Sequence, residues 1–279
     1  MDLNSLFDEI KKNAIKVNLK TYSKEDLPIG ASKFGGKPDV PKDFKWFYYK
    51  GEGLDCEIKS RPLSFLAQIN CEEMKEYDED GLLPKKGILY FFYELSSLTW
   101  GCYPQDKGSA KVFYFDGDVK ELNRTNFPDD MEENFKLPEI QLDFSKKYDL
   151  PDYEEFTELY HYDNWDYYDE IRVLKGYEQE ELDGKLLGYA DLVQAGMLRE
   201  CEKGANGIHY SGLEQIPDKK LKQLEKNCSQ WQLLFQLSSI MTKTFELMFD
   251  DCGVIYFYIR KEDLKKRNFD NCWLILQCC

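Results

Sequence analysis

Leu63-Ser64-Phe65-Leu66-Ala67-Gln68-Ile69, followed by Gly87-Ile88-Leu89-Tyr90-Phe91-Phe92, is a text that returns later in the chain. It reappears as Trp231-Gln232-Leu233-Leu234-Phe235-Gln236-Leu237 and Gly253-Val254-Ile255-Tyr256-Phe257-Tyr258. Each run has strand length, is rich in aromatic and branched residues, and reads as a buried β-strand. The interval from Gln68 to Gly87 is 19 residues and that from Gln236 to Gly253 is 17, so the spacing is nearly kept. Working outward, Lys33-Phe34-Gly35-Gly36-Lys37-Pro38-Asp39 shares Lys, Gly and Asp at identical offsets with Lys185-Leu186-Leu187-Gly188-Tyr189-Ala190-Asp191, and Lys111 to Phe115 finds a partner in Trp273 to Gln277. Four elements in the same order predict an internal duplication. The expected architecture is α+β, with two tandem related halves of mainly antiparallel sheets and flanking helices. Such halves pack about a pseudo-two-fold axis, and their junction is a natural cleft.

The predicted segments are 1–29, an N-terminal helix and lead-in; 30–147, the first half; 148–182, a linker; and 183–279, the second half. Leu3, Leu6, Phe7, Ile10, Ala14 and Val17 fall on one helical face, which predicts an amphipathic helix over 2–17. Pro84-Lys85-Lys86-Gly87 reads as a turn feeding a strand. Arg260-Lys261-Glu262-Asp263 reads as a helix start, with its acids at the N-terminal end.

The linker is a different text. From Tyr148 to Glu170 it carries nine acids, no Lys or Arg, and eight aromatics, Trp165 among them. Pro151-Asp152 with Glu155 resembles a capping box, after which Tyr153, Phe156 and Tyr160 share a face. Two readings stand. The segment is an amphipathic connector, or it is an acidic, aromatic surface (Asp163, Asp166, Asp169, Trp165) that attracts a cationic partner by charge and cation–π contact.

Net charge is −15 over 279 residues, which opposes a phosphate backbone, so nucleic acid is not an expected partner. Nine cysteines, an odd number without repeated spacing, point to free thiols in a reducing cytoplasm. No secretory signal opens the sequence and no run reaches the roughly 20 apolar residues of a membrane span, so no membrane association is expected.

Catalytic signatures are missing from the text. Only His161 and His209 could serve a nucleophile as base, and neither lies in a known pattern. Gly30 to Lys37 departs from a phosphate loop in its Gly spacing, and Pro38 stands where Ser or Thr would bind Mg²⁺. Glu76, Asp78, Asp80 and Gly81 begin like a calcium loop, but Gly87 occupies the position of the bidentate carboxylate. Gln68 and Gln236 are polar residues set into apolar strands, and a buried amide must be hydrogen-bonded. Either each staples a neighbouring loop, or the two line the cleft between the halves.

Ser32 to Pro38, Pro62 to Asn70, Leu83 to Tyr93 and Asp251 to Leu264 resemble the YwqG-like family of bacterial proteins, and the resemblance extends over nearly the whole chain. Ala190 stands where that family usually has Pro, and Phe249-Asp250 where it often has Trp-Gly. The resemblance implies a cytoplasmic α+β protein without an established biochemical activity, and it carries over no catalytic residue. The association of relatives with toxin and immunity proteins implies an inhibitor role.

Together these observations predict a non-enzymatic protein-binding or immunity-type inhibitor module that engages a basic protein partner, with no cofactor and no metal. The alternative is a small-ligand-binding protein or an enzyme using carboxylates in the cleft between halves.

Overall fold

The apolar runs become strands, and most of them join one sheet. In the computed structural model, which describes residues 2–20, 27–177, 180–209 and 217–279, helix α1 (Leu3–Ile10) passes directly into strand β1 (Lys12–Leu19). Next come β2 (Lys33–Phe34), β3 (Asp39–Pro41), the hairpin of β4 (Tyr48–Glu52) and β5 (Ile58–Pro62), then β6 (Ser64–Asn70), β7 (Ile88–Tyr93) and β8 (Ala110–Phe115). Strands β9 (Leu122–Arg124) and β10 (Ile140–Asp149) precede helices α2 (Tyr153–Tyr160) and α3 (Trp165–Leu174). After β11 (Gly184–Leu187) come α4 (Leu198–Ala205), α5 (Asp218–Cys228) and β12 (Trp231–Ser238). The small pair β13 (Ile240–Met241) and β14 (Glu246–Leu247), β15 (Val254–Arg260), α6 (Lys261–Lys266) and β16 (Trp273–Gln277) complete the order.

Ten strands form one antiparallel sheet in the order β16-β15-β12-β11-β1-β10-β2-β6-β7-β8. The order is symmetric about the β1–β10 pair, which runs in unbroken register from Lys12 opposite Asp149 to Leu19 opposite Leu142. On one side Gln68 lies opposite both Lys33 and Tyr90. On the other, Gln236 lies opposite both Lys185 and Tyr256. The register shifts at matching places, between Phe65 and Ala67 and between Leu233 and Phe235. Such bulges bend a strand and increase its twist.

Period-two alternation then sorts the core. Leu89, Phe91 and Tyr93 of β7 share a cluster with Ile255, Phe257 and Ile259 of β15. The alternate residues part company: Ile88, Tyr90 and Phe92 join one outer cluster, while Val254, Tyr256 and Tyr258 join another. Phe91 meets Phe235 with ring centroids 4.5 Å apart and Phe257 at 5.2 Å, although β7 lies near one edge of the sheet and β12 and β15 near the other. The sheet is therefore curled into a nearly closed barrel. Edge strand β16 meets the connection between β7 and β8 where Leu276 donates its backbone N–H to the Trp100 carbonyl at 3.0 Å. Gly101 allows this approach: its φ is +74°, and a Cβ there would lie 1.8 Å from the Leu274 oxygen.

These observations correct the expected α+β class. The protein is mainly β, and a single curled sheet passes through both regions instead of separate sheets in separate halves. The helices among the described residues are short, with 6 to 11 residues in the α-helices. The helix expected over 2–17 stops at Ile10, and Ala14 and Val17 are strand residues. Pairing of β1 with both β10 and β11 at the centre of the sheet overrides the i, i+3, i+4 spacing, as tertiary context does for a weak local preference.

Helices α1, α2 and α3 form a separate apolar cluster in which Phe7 packs edge-on against Phe156 and Tyr168. Glu155 of α2 is buried beneath them, and its Oε2 has no hydrogen-bond partner among the described residues. Burial, working against the nearby Lys12 ammonium, pushes the Glu155 carboxyl up to about 7 from an ordinary 4.5. Lys12 is itself seated 3.7 Å over the Tyr189 ring.

Two measurements test this packing. Phe91→Ala removes a fully buried ring from the meeting of the inner faces and should cost about 3–5 kcal/mol in urea unfolding; a loss under about 1 kcal/mol would contradict the curled core. Because the raised group favours its protonated form in the fold, the stability it contributes is present below pH 4.5 and is lost as the pH rises through about 7. Glu155→Gln should therefore gain on wild type steadily across that window. A pH-independent difference would place the carboxylate elsewhere.

Candidate functional site

Both halves of the symmetric strand order bury a lysine, Lys33 on β2 and Lys185 on β11, and each is the first residue of the recurring Lys-Xaa-Xaa-Gly-Xaa-Xaa-Asp text. Lys33 is wholly buried and donates to the Lys37 carbonyl and to Glu139 Oε2, both at 2.7 Å, with Asp39 Oδ2 at 3.6 Å. The Gln68 amide fastens the same Asp39: its oxygen accepts from the Asp39 N–H at 2.9 Å and its nitrogen donates to Asp39 Oδ2 at 2.9 Å. Tyr90 donates its hydroxyl to the Asp39 carbonyl. Arg124 of β9 then covers the remaining side, donating from Nε to Asp39 Oδ1 at 2.9 Å and from Nη2 to the Leu27 carbonyl at 2.7 Å. Burial opposes ionisation of Asp39, but Arg124, Lys33, the Gly30 N–H and Gln68 outweigh it and hold the carboxyl below its ordinary range.

The other half of the strand order repeats the Lys, Gly, Asp, Gln and Tyr of this network, with Asp149 in place of Glu139 as the second carboxylate and a shorter lysine–aspartate contact. Lys185 is wholly buried and reaches Asp149 Oδ2 and Asp191 Oδ2, each at 2.8 Å. Burial works against its ammonium, yet the two carboxylates prevail and keep its pKa above the ordinary value. Gln236 accepts from the Asp191 N–H at 3.0 Å and donates to Asp191 Oδ2 at 2.8 Å, and Tyr256 donates to the Asp191 carbonyl at 2.6 Å. The shared glycine has a reason in both copies. Gly36 and Gly188 adopt φ of +70° and +71°, and a Cβ on either would lie 2.7 Å from the second carboxylate residue, Glu139 or Asp149.

The point of departure is the arginine. Among the described residues no guanidinium covers Asp191, whose Oδ1 takes no hydrogen bond there and whose side chain keeps 26% of its surface. It opens instead into a cleft of about 600 Å³ that is also lined by Gln236, Val254, Leu192, Met241 and Cys252, with Glu180, Glu181 and Asp183 on its acidic side. Two of those acids are already engaged: Asp183 Oδ2 accepts the Leu19 N–H at 2.8 Å, and Glu180 pairs with Lys16.

The residues singled out in the sequence are distributed unevenly around this geometry. Gln68 and Gln236 occupy matching positions on the outer faces of β6 and β12, each stapling a loop, and Gln236 lines the open cleft. Asp163 and Asp166 are exposed around the start of α3, where Asn164 caps the helix. Trp165 and Asp169 come together in a separate groove of about 390 Å³, with Arg172 and Asp152. His161 closes α2 in the left-handed region, and His209 rests against Tyr103. Among the described residues no group of His, Cys, Asp or Glu is arranged to hold a metal ion, and no helix is long and apolar enough to cross a membrane. All nine cysteines are free.

Lys33, Asp39, Lys185 and Asp191 are visible in the sequence as matched offsets, and the repeated pairing of opposite charges six residues apart is the signal that points to the site. Glu139, Asp149 and Arg124 carry no signal that ties them to these lysines, because they reach the site from positions remote in sequence. The arrangement predicts that Arg124→Ala, which leaves the buried Asp39 short of a partner, costs about 3 kcal/mol. Millimolar methylguanidine should restore part of that loss by refilling the place, whereas methylammonium should restore less. Equal rescue by both cations, or by neither, would show that the guanidinium shape does not matter there.

A comparison with curated proteins finds no match. The family model described as "Domain of unknown function (DUF1963)" matches residues 32–278, a span that takes in both lysine arrays and the open cleft, and the chain belongs to that family.

Proposed function

We propose that this protein is a non-catalytic binding module whose open cleft at Asp191 receives a cationic side chain from a protein partner. One observation carries the reading. Asp39 and Asp191 are held by the same set of Lys, Gln and Tyr groups, but among the described residues an arginine covers the outer oxygen of Asp39 and none covers that of Asp191. A carboxylate held on Oδ2 by Lys185 and Gln236, with its backbone carbonyl pinned by Tyr256 and its other side open, is preorganised for a charged donor, and such donors make the stronger hydrogen bonds. The net charge of −15 favours encounter with a basic partner by steering. The alternative of carboxylate catalysis has less support, since Asp183 and Glu180 are engaged in structural contacts.

The resemblance to YwqG-like bacterial proteins accords with a binding or inhibitory role, and the nine free thiols accord with a reducing cytoplasm. We read the symmetric strand order as the trace of a duplication in which one copy kept its arginine cover. In this reading the exposed acids Asp163 and Asp166 contribute long-range attraction, and Asp191 makes the contact.

Cys252 is exposed and lines the cleft, so it can report occupancy. N-acetyl-arginine amide at millimolar concentration should slow alkylation of Cys252, followed by mass spectrometry, and leave exposed Cys56 and Cys279 unchanged. Asp191→Asn should abolish the protection, while the Asp163→Asn, Asp166→Asn, Asp169→Asn triple variant should retain it. Uniform alkylation with and without the arginine compound, or protection that survives Asp191→Asn, would overturn the reading.

A further inference from the structure

The chain carries its own template for what fits the cleft. At the closed end, β9 lies antiparallel to β3 with Arg124 opposite Asp39 and Leu122 opposite Pro41. Residues two apart on a strand share a face, and here one of the pair answers charge while the other answers apolar surface. Arg124 caps the carboxylate, and Leu122 is buried in the outer cluster with Val40, Ile88 and Tyr90. Position by position, the surface that this segment covers is present again at the open end. Gln68 opposite Tyr90 and Asn70 opposite Ile88 correspond in register to Gln236 opposite Tyr256 and Ser238 opposite Val254. Asp191 and Leu192 take the places of Asp39 and Val40, and the cleft they line with Val254 is uncovered among the described residues.

We infer that the partner enters this cleft as an extended segment of the pattern aliphatic-Xaa-Arg, its arginine on Asp191 and its aliphatic side chain against Leu192 and Val254, as Leu122-Asn123-Arg124 lies on Asp39 and Ile88. The inference rests on the reading of the Asp191 cleft as a cation site and adds to it the identity of the cation, the residue beside it and the extended conformation. Arginine is specified over lysine because Arg124 works with two faces of its guanidinium at once. Its Nε serves the carboxylate while Nη2 reaches a backbone carbonyl, and a single ammonium cannot reproduce that fork. Side chains dominate the docking. The Leu192 N–H is already given to Asp152 Oδ2 at 2.7 Å and the Val193 N–H to the Gln277 side chain at 3.1 Å, so a full strand ladder with the incoming segment is not available.

The probe follows directly: an acetylated and amidated peptide copying residues 118–125, Asp-Val-Lys-Glu-Leu-Asn-Arg-Thr, titrated into the intact protein by calorimetry, with Cys252 alkylation as a second readout. Binding should be saturable, and it should weaken about tenfold when the peptide's arginine is replaced by lysine or its leucine by serine. Asp191→Asn should abolish it. Because that variant also strips a partner from Lys185, Met241→Arg and Met241→Glu serve as independent variants at the exposed cleft rim; the first should weaken and the second strengthen binding of singly positive N-acetyl-arginine amide, each about threefold at low salt. If the leucine and serine peptides bind equally and both depend on Asp191, the aliphatic-Xaa-Arg pattern falls while the cation site stands. If lysine and arginine peptides bind equally, the guanidinium assignment falls. If no arginine compound binds in an Asp191-dependent way, or the Met241 variants have no effect, the cation site falls as well.

Discussion

Among the described residues two lysine side chains, Lys33 and Lys185, are wholly buried, and each ammonium must be answered by carboxylates at hydrogen-bonding distance. An isolated charge in the interior is strongly disfavoured, and a paired one loses most of its compensation when either partner is removed. Lys33 and Lys185 therefore dictate what surrounds them. Each draws the loop that follows it back over the sheet, so that the aspartate six residues on comes to rest on the glutamine of the next strand. Each also takes a second carboxylate from an end of β10, Glu139 at its start and Asp149 at its finish. One central strand thus anchors both networks. Its position beside β1, at the centre of the strand order, follows from serving both ends.

The same constraint separates the roles of the two faces of the sheet. The inner face gathers an apolar cluster that closes on itself through Phe91, Phe235 and Phe257. The outer face carries the lysine networks at places that the curled sheet cannot cover, so other parts of the chain must cover them. At one end the segment containing Val119, Leu122 and Arg124 does so, packed closely enough that a Cβ on Gly30 would lie 2.5 Å from Val119 Cγ1. At the other end helices α4 and α5 cover the apolar cluster around Trp231 and Tyr258, and the Asp191 carboxylate is left facing a cleft. The difference between the two ends is a difference in cover, set over a common floor.

An uncovered aspartate of this kind differs from an ordinary surface acid. Exposed carboxylates lose rotamer freedom on binding and interact weakly through water. Asp191 has already been fixed by Lys185, Gln236 and Tyr256 as part of folding, so little further ordering attends the approach of a cation. The exposed acids of α3 have no comparable fixation, which is why the proposed contact lies in the cleft and the proposed steering lies on the helix.

Much of this was legible in the sequence. The strands at Gln68, Tyr90, Gln236 and Tyr256 declared themselves through apolar runs and turn residues, because strand formation and burial act on the same side chains. The start of α6 and the shared face of Tyr153, Phe156 and Tyr160 were equally local. The matched offsets of Lys33, Gly36 and Asp39 with Lys185, Gly188 and Asp191 were visible as text, although nothing in one dimension said that the lysine would be buried or that the glycine makes room for a second carboxylate. Tertiary structure alone decided the rest. It turned Ala14 and Val17 from helix to strand, since sheet pairing at the centre outweighs local periodicity. It joined two similar regions into one curled sheet, because their inner faces are each other's best apolar partner. And it made Asp191 differ from Asp39, because the arginine that covers one of them arrives from 85 residues away, a distance over which only the folded chain can bring charge to charge.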